Sequence, residues 1–385
     1  TFVTAAGCGR SYRPYFLWRH KRRRSRYQTK VVFPLKIGIF GGTFNPPHQG
    51  HLAAARTAIS ALGLDKLLII PAAIPPHKEL PEGTPAPEHR LAMAEKMADA
   101  LLAPGVAEAS GLELTRTGKS YTSDTLERLR EQYPDDELWL LMGTDMFLTL
   151  HLWHKPETIL KLAGVCAFGR SEQDTEEVFA PQREHLQKTF PGARITTITL
   201  PGLVDISSTR MRELLAGGEG EEYLYPAVYG YILMHGLYGV HADLKRLDNP
   251  ELRACSYSMV MQKRVRHIRG TEEEAVRLAR RWGANENHAR RAGILHDCTK
   301  YLSGGEHIAI CEKYGVPLDE LERKAAKLLH SKTGACIARH VFGEPDEVYE
   351  AIFWHTTAKA DMTTLEKILY VADYMEPNRS FDGVE

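Results

Sequence analysis

Apolar and polar positions change their period partway along the chain. From about Pro34 to Tyr238, short apolar runs alternate with stretches of helical period. LKIGIF, KLLIIPA, ELWLLMGTDMF, VCAFGR and ITTITLPG read as strands. HLAAARTAISALGL, PEHRLAMAEKMADALL, SYTSDTLERLREQY and STRMRELLAGG read as helices, the last ended by Gly217-Gly218. Such alternation predicts an α/β domain with a doubly wound parallel sheet, and ligands outside the carboxyl ends of its strands. Residues 239–257 are mixed and charged and read as a linker. From 258 to 385, TEEEAVRLARRWG, ENHARRAGILHDCTKYL, SGGEHIAICEKYG, LDELERKAAKLLHSKTGACIARHVFG, DEVYEAIFWHTTA and TLEKILYVADYME keep a period of three and four. That pattern predicts an all-α bundle.

Charge sharpens this picture at one end only. The 385 residues carry 49 Lys+Arg and 49 Asp+Glu, yet residues 1–30 hold nine of the bases and no acid. The remainder has 40 basic and 49 acidic groups, a net of −9, which argues against nucleic acid as the partner. Residues 1–33 read as a basic, disordered leader and make a poor secretory signal. No run of 18 apolar residues suggests a membrane span. Six cysteines without a C-x-x-C pair fit reduced thiols in a cytoplasm.

Two stretches of the first domain suit phosphate. In GIFGGTFNPPHQGHL a strand ends in Gly41-Gly42, a Pro46-Pro47 turn follows, and His48 and His51 stand at the start of a helix. Glycines let backbone amides approach a ligand, a helix N-terminus favours an anion, and imidazoles donate to phosphate oxygens. In DISSTRMREL, Ser207 or Ser208 caps a helix whose first turn carries Thr209 and Arg210, the latter offering a planar fork. GGTFNPPHQGHL closely resembles the signature of the H-x-G-H nucleotidyltransferase superfamily, and most of all its nicotinate-nucleotide adenylyltransferase branch. I-S-S-T-R resembles the superfamily's second signature. PPHK, EHRLAM, TGKSYTSDTL, GTD, LWHKPETI and the closing VYGYILMHGLYG are similar to the same branch, so the likeness covers about 205 residues.

The resemblance implies a Rossmann-like nucleotidyltransferase over 34–238 that moves AMP from ATP to nicotinate mononucleotide, releasing deamido-NAD and pyrophosphate with Mg2+. Nicotinamide mononucleotide is the alternative acceptor. By the same resemblance ATP contacts Gly41, Gly42, Thr43, Phe44, His48, His51, Ser207, Ser208, Thr209 and Arg210, with His48, His51 and Arg210 catalytic. Lys78, Tyr121, Thr122, Asp145 and Trp153 surround the mononucleotide. No Ser-His-Asp or Cys-His pairing is visible in these motifs, so direct in-line transfer is expected.

In the helical half, His267, His296-Asp297, His330, His355 and Asp373 each lie in or beside an apolar segment, where a polar side chain needs a partner. Imidazole with carboxylate suits Fe, Mn or Zn. An adjacent His-Asp pair on one helix sits about 100° apart around its axis, which lets both face a dinuclear centre with Asp297 bridging. The order H…HD…H…H…D resembles the HD-domain metallophosphohydrolases. LLHSKTGA, WHTTA and ADYMEPNRSF look like the YqeK-type symmetrical bis(5′-nucleosyl)-tetraphosphatases. That likeness implies His267, His296, Asp297, His330, His355 and Asp373 as metal ligands, Lys300 and Arg379 as polyphosphate contacts, and diadenosine tetraphosphate cleaved to two ADP. The sequence stops at Glu385, twelve residues after Asp373, short of the family's usual pattern. Part of the substrate wall is therefore expected to be missing, and a regulatory metal-binding module without turnover is the alternative.

Overall fold

The computed structural model describes residues 34–379, apart from 77–78, 102–104, 117, 170–172 and 201–205. The basic leader, Lys78 and residues 380–385 lie outside the described residues. The first half runs β1 (Lys36–Gly42), α1 (Gln49–Leu62), β2 (Lys66–Pro71), α2 (Pro87–Ala100), β3 (Ala107–Ala109), α3 (Thr122–Gln132), β4 (Glu137–Gly143), α4 (Thr144–Leu148), α5 (Pro156–Leu162), β5 (Gly164–Phe168), α6 (Glu176–Thr189), β6 (Ile195–Ile198), α7 (Ser208–Ala216) and α8 (Pro226–His235). Every strand pair is parallel and the order is β3-β2-β1-β4-β5-β6. The doubly wound sheet expected from the alternation is the one observed.

Both faces of this sheet are covered, which explains why its strands read as unbroken apolar runs rather than alternating ones. Ile37, Ile39, Leu68, Ile70, Val165 and Ala167 pack with Leu126, Leu129, Ile159 and Leu186 of α3, α5 and α6. Their sequence neighbours Phe40, Leu67, Ile69, Cys166 and Phe168 pack on the other face with Leu52, Ala55, Ala94 and Met97 of α1 and α2. The order of strands reverses between β1 and β4, so the loop after β1 opens at the switch point where such sheets bind ligands.

The second half runs α9 (Asn249–Met259), α10 (Gln262–Trp282), α11 (Glu286–Leu295), α12 (Gly304–Lys313), α13 (Glu320–Lys324), α14 (His330–His340), α15 (Asp346–Trp354) and α16 (Thr364–Met375). Its core is one cluster that includes Leu252, Cys255, Ala292, Leu295, Phe342, Ile352 and Leu369. No helix of the described residues is long and apolar enough to cross a membrane. Cys166, Cys255, Cys298, Cys311 and Cys336 are buried and free.

Besides ELWLLMGTDMF, where β4 stops at Gly143 and Thr144–Leu148 turns into α4, three expectations need correction. Residues 239–257 are not an open linker, because α9 begins at Asn249 and packs on α8. Leu252 and Cys255 are fully buried there, and Asp248 and Glu251 form a reciprocal capping box. Gly230 of α8 permits the contact, since a Cβ there would run into the carbonyl of Ala254. Leu233 of α8 belongs to the bundle's core, so the halves are continuous. The second correction concerns ENHARRAGILHDCTKYL, which is not one helix: α11 stops at Leu295. The third concerns LDELERKAAKLLHSKTGACIARHVFG, which divides into α13, a 3-10 turn at Ala326–Leu329 and α14. No glycine or proline marks that break.

Candidate functional site

At the switch point, His48 is the N-cap of α1 and His51 its third residue. The His48 carbonyl accepts from the amides of His51 at 2.9 Å and Leu52 at 3.2 Å. The His48 amide donates to Nδ1 of His51 at 3.3 Å. A neutral His51 ring whose Nδ1 accepts carries its proton on Nε2. The two rings are 3.8 Å apart, and His51 packs against Phe44 at 5.2 Å and Phe40 at 6.0 Å. Phe44 itself is fully buried. A Cβ at Gly42 would touch the Phe44 ring at 3.4 Å, whereas one at Gly41 would meet no atom within 4 Å. Protein packing therefore does not demand glycine at 41, which suits close approach by a ligand.

The second signature meets this loop directly. Ser207 caps α7 by accepting from the Arg210 amide at 3.1 Å. Ser208 Oγ donates to the Pro46 carbonyl at 3.3 Å. Thr209 Oγ1 accepts from Arg212 at 3.1 Å, and the same guanidinium donates to the carbonyls of Asn45 at 2.9 Å and Ser208 at 3.0 Å. Arg210 is exposed and pairs with Glu213 at 3.2 Å. Sequence reasoning singled out Arg210 and passed over Arg212, two residues on, which is the side chain that joins the two loops. It also missed Arg90. That guanidinium is fully buried and donates to the carbonyls of Thr43 at 3.0 Å, Ala72 at 2.6 Å and Ala73 at 3.2 Å. One cation thus holds the ends of β1 and β2 in register from behind; the signal was an arginine in the apolar stripe of EHRLAM.

Of the expected mononucleotide contacts, Tyr121 is the N-cap of α3 and Thr122 its first residue. The Tyr121 ring lies 4.4 Å from the ring of His154, which neighbours Trp153. Trp153 packs on the sheet's core beneath. Asp145 stands exposed in the first turn of α4. Ser120 donates its amide to the carbonyl of Ile74 at 2.9 Å, so the strand-end segment leading to Lys78 lies against the start of α3. Lys78 falls outside the described residues. Below this wall Glu113 is buried and accepts from Thr125 Oγ1 at 2.8 Å. Burial pushes its carboxyl up to about 7.

The helical half gathers all six expected ligands. His267 comes from α10, His296 and Asp297 from the turns after α11, His330 from the start of α14, His355 from the end of α15 and Asp373 from α16. His267, His296 and Asp297 form one group able to hold a metal ion, and Asp297, His330 and His355 a second. Asp297 Oδ2 lies 3.6 Å from His267 Nε2 and 3.5 Å from His296 Nε2, while its Oδ1 lies 3.2 Å from His330 Nε2. Asp373 Oδ1 is 3.0 Å from His267 Nε2 and 3.7 Å from His296 Nε2. His296 and Asp297 reach the centre from turns, not from successive helical positions: the amides of Cys298 and Lys300 bond back three residues, to Leu295 and Asp297.

The rings are oriented from behind by one repeated device. Nδ1 of His296, His330 and His355 bonds the carbonyl three residues earlier, at Gly293 (2.8 Å), Lys327 (2.8 Å) and Ile352 (2.6 Å). His267 Nδ1 bonds the buried carboxylate of Glu376 at 3.1 Å, a partner that sequence reasoning missed in MEPNR. Each bond places the proton on Nδ1 and turns the Nε2 lone pair inward, as metal ligation requires. His267 Nε2 and His296 Nε2 then face each other at 3.1 Å, and His355 Nε2 is buried without a hydrogen-bond partner. A cation satisfies both arrangements, so the donor set fits a metal centre. Burial holds His296 down at about 3 and His355 at about 4, keeping both neutral. Asp297 and Asp373 stay below the usual carboxylate range. Burial opposes this, but the cations Arg264 and Lys300 beside Asp297 and Arg379 beside Asp373 hold them down. Lys300 Nζ is 3.4 Å from Asp297 Oδ1 and 2.8 Å from His330 Nε2. Arg379 is 2.6 Å from Asp373 Oδ1.

Residues 39–214 match the cytidylyltransferase-like family, and residues 264–378 match the HD domain. The probable nicotinate-nucleotide adenylyltransferase of Trichlorobacter lovleyi is 38% identical over 216 residues, 53% of this chain and 99% of that protein. Its counterpart in Pseudomonas syringae pv. tomato is 38% identical over 218 residues, 54% of this chain and 96% of that protein. A crystal structure of a predicted HD superfamily hydrolase involved in NAD metabolism from Clostridium acetobutylicum is 37% identical. It covers 36% of this chain and 74% of that one, with a TM-score of 0.35. With its sheet, its paired loops and relatives matched along almost their whole length, the first half of the chain belongs to the nicotinate-nucleotide adenylyltransferase family, and an HD domain follows it.

Proposed function

We propose that the chain is a bifunctional enzyme: its first half adenylates nicotinate mononucleotide, and its HD half hydrolyses diadenosine tetraphosphate to two ADP. For the first reaction, a phosphate oxygen of the mononucleotide attacks the α-phosphorus of Mg-ATP, and the bond to the pyrophosphate oxygen breaks in line. Such transfer needs positioning and charge stabilisation more than covalent chemistry. Nε2–H of His51 donates to the α-phosphate, His48 stands beside it, and the capped start of α7 receives the β- and γ-phosphates. Tyr121 and Trp153 supply an aromatic wall for the pyridine ring. The observation that carries this reading is the set of bonds from Ser208 and Arg212 to the Pro46 and Asn45 carbonyls, which joins both phosphate loops into one cradle.

In the HD half, His267, His296, Asp297, His330, His355 and Asp373 hold two divalent ions, of iron, manganese or zinc. When bound there, such ions supply Lewis acidity and a nucleophile at neutral pH. Lys300 and Arg379 bind the phosphate chain; water adds at one phosphorus and the bridging anhydride oxygen leaves with the other ADP. The buried, unpartnered Nε2 of His355 in that ligand set supports the reading.

The test is product analysis on the purified full chain. ATP with nicotinate or nicotinamide mononucleotide should give deamido-NAD far faster than NAD; the reverse preference would reassign the acceptor. With manganese, diadenosine tetraphosphate should give ADP alone. AMP and ATP together would overturn symmetrical cleavage, and no turnover by a metal-loaded chain would leave a regulatory module.

A further inference from the structure

Residues of both halves of the chain meet at the start of α10, the helix that carries His267. Helix α10 starts without a capping side chain of its own, because Met261 occupies its N-cap. The amide of Gln262 donates instead to the carboxylate of Asp99, at the end of α2 in the adenylyltransferase half. Gln262 Oε1 accepts from the Tyr225 hydroxyl at the start of α8. One turn back on α2, Lys96 donates to the Ser258 carbonyl at 2.6 Å. A carboxylate at a helix start satisfies an open amide and complements the dipole, so Asp99 caps α10 from the other half. Arg264 lies in the turn thus capped, and its guanidinium rests on Asp297.

The order of groups from solvent inward gives that guanidinium its role. The side chains of Arg264, Lys300 and Arg379 are 22%, 33% and 28% exposed, against 0% for Asp297 and 16% for Asp373. Each of the three cations is thus more exposed than the carboxylate it pairs with. Two carboxylates already face those three cations, and two divalent ions would leave the centre with a large positive excess. A polyanion offsets such an excess.

We propose that Arg264 is a third cationic anchor for the phosphate chain of the HD-half substrate, and that the adenylyltransferase half holds it in place through the Asp99 cap. The inference rests on reading the centre as a polyphosphate hydrolase, and its test separates the two. The full chain, loaded with manganese, is compared with Arg264→Ala, Arg264→Lys and Asp99→Ala in three ways: metal content, calorimetric binding of inorganic tripolyphosphate, and KM and kcat for diadenosine tetraphosphate. Arg264→Ala should weaken tripolyphosphate binding and raise KM by about 10- to 100-fold, the worth of one charge-assisted bond, at unchanged metal content. Lysine should restore part of both. Asp99→Ala should raise KM by about 3-fold, the scale of a lost cap, while adenylyl transfer proceeds at the wild-type rate.

Equal binding and KM in wild type and Arg264→Ala would overturn the anchor and leave the hydrolase reading standing. So would a loss of metal in Arg264→Ala with KM unchanged, since Arg264 would then serve only Asp297. Arg264-dependent binding of tripolyphosphate by a wild type that hydrolyses nothing would keep the anchor and remove the hydrolase. An unaltered KM in Asp99→Ala would overturn the cap's part. A wild type that neither binds nor hydrolyses would overturn both readings.

Discussion

Arg212 donates to the carbonyl of Asn45 at 2.9 Å across 167 positions of sequence. The same guanidinium bonds Ser208 and Thr209, so one side chain ties the start of α7 to the loop after β1. Arg212→Ala should therefore cost more than Arg210→Ala, whose side chain is exposed and paired only with Glu213 among the described contacts. The expected loss in kcat/KM for ATP is about 10- to 100-fold for Arg212, the range for truncating a charge-assisted bond to a buried carbonyl. Steady-state kinetics of both variants decide it. A larger loss in Arg210→Ala would return the phosphate fork to that position.

His51 accepts the His48 amide at Nδ1, which puts the proton of a neutral ring on Nε2. His51→Ala removes that donor and should lower turnover by about 10²- to 10³-fold, as for one transition-state donor. Asn at 51 is too short to place a donor at the Nε2 position and should recover little. A fully active His51→Ala enzyme would remove the imidazole from the reaction.

Much of this was legible because the motifs sit where chain geometry is local. Strand, glycine turn and capped helix are contiguous in GIFGGTFNPPHQGHL, so His48 and His51 could be placed without tertiary information. The gathering of the six expected ligands was legible for a different reason: polar residues in apolar segments need partners. What escaped was long-range. Arg90 and Arg212 hold carbonyls of loops far along the chain; nothing local distinguishes Arg212 from a solvated arginine, and Arg90 shows only as a charge in an apolar stripe. Glu376 likewise acts by reaching His267, 109 positions away. The linker reading shows the opposite failure, since the capping box at Asp248 and Glu251 is local and went unread in a mixed, charged stretch.

Glu113 gives the first half a pH-dependent stability. Its folded carboxyl is raised to about 7 by burial, against an ordinary value of 4.5. A raised carboxyl means the folded state binds the proton more tightly, so the stabilisation is complete below about 4.5 and disappears as pH rises through about 7. Glu113→Gln stays neutral and keeps an acceptor for Thr125. Its melting temperature relative to wild type should therefore rise between pH 5 and pH 8. Thermal melts at both pH values measure this, and a constant difference would show that Glu113 is ionised throughout.

Asp297 is the one side chain common to both metal-competent groups among the described residues. Its Oδ2 faces His267 and His296 at 3.6 and 3.5 Å, and its Oδ1 faces His330 at 3.2 Å. Removing it takes an oxygen from each group at once, whereas removing any of these histidines takes a ligand from one. Asp297→Ala should therefore bind fewer than one ion per chain where wild type binds about two, and should lose hydrolysis of diadenosine tetraphosphate. His355→Ala should keep the ion held by His267 and His296, giving a stoichiometry between the two. Adenylyl transfer should persist in both variants, because the sheet and its paired loops have their own core. Elemental analysis beside both assays reads the outcome. Equal metal loss in the two variants would mean the ions bind only together, and full retention in Asp297→Ala would remove the bridge.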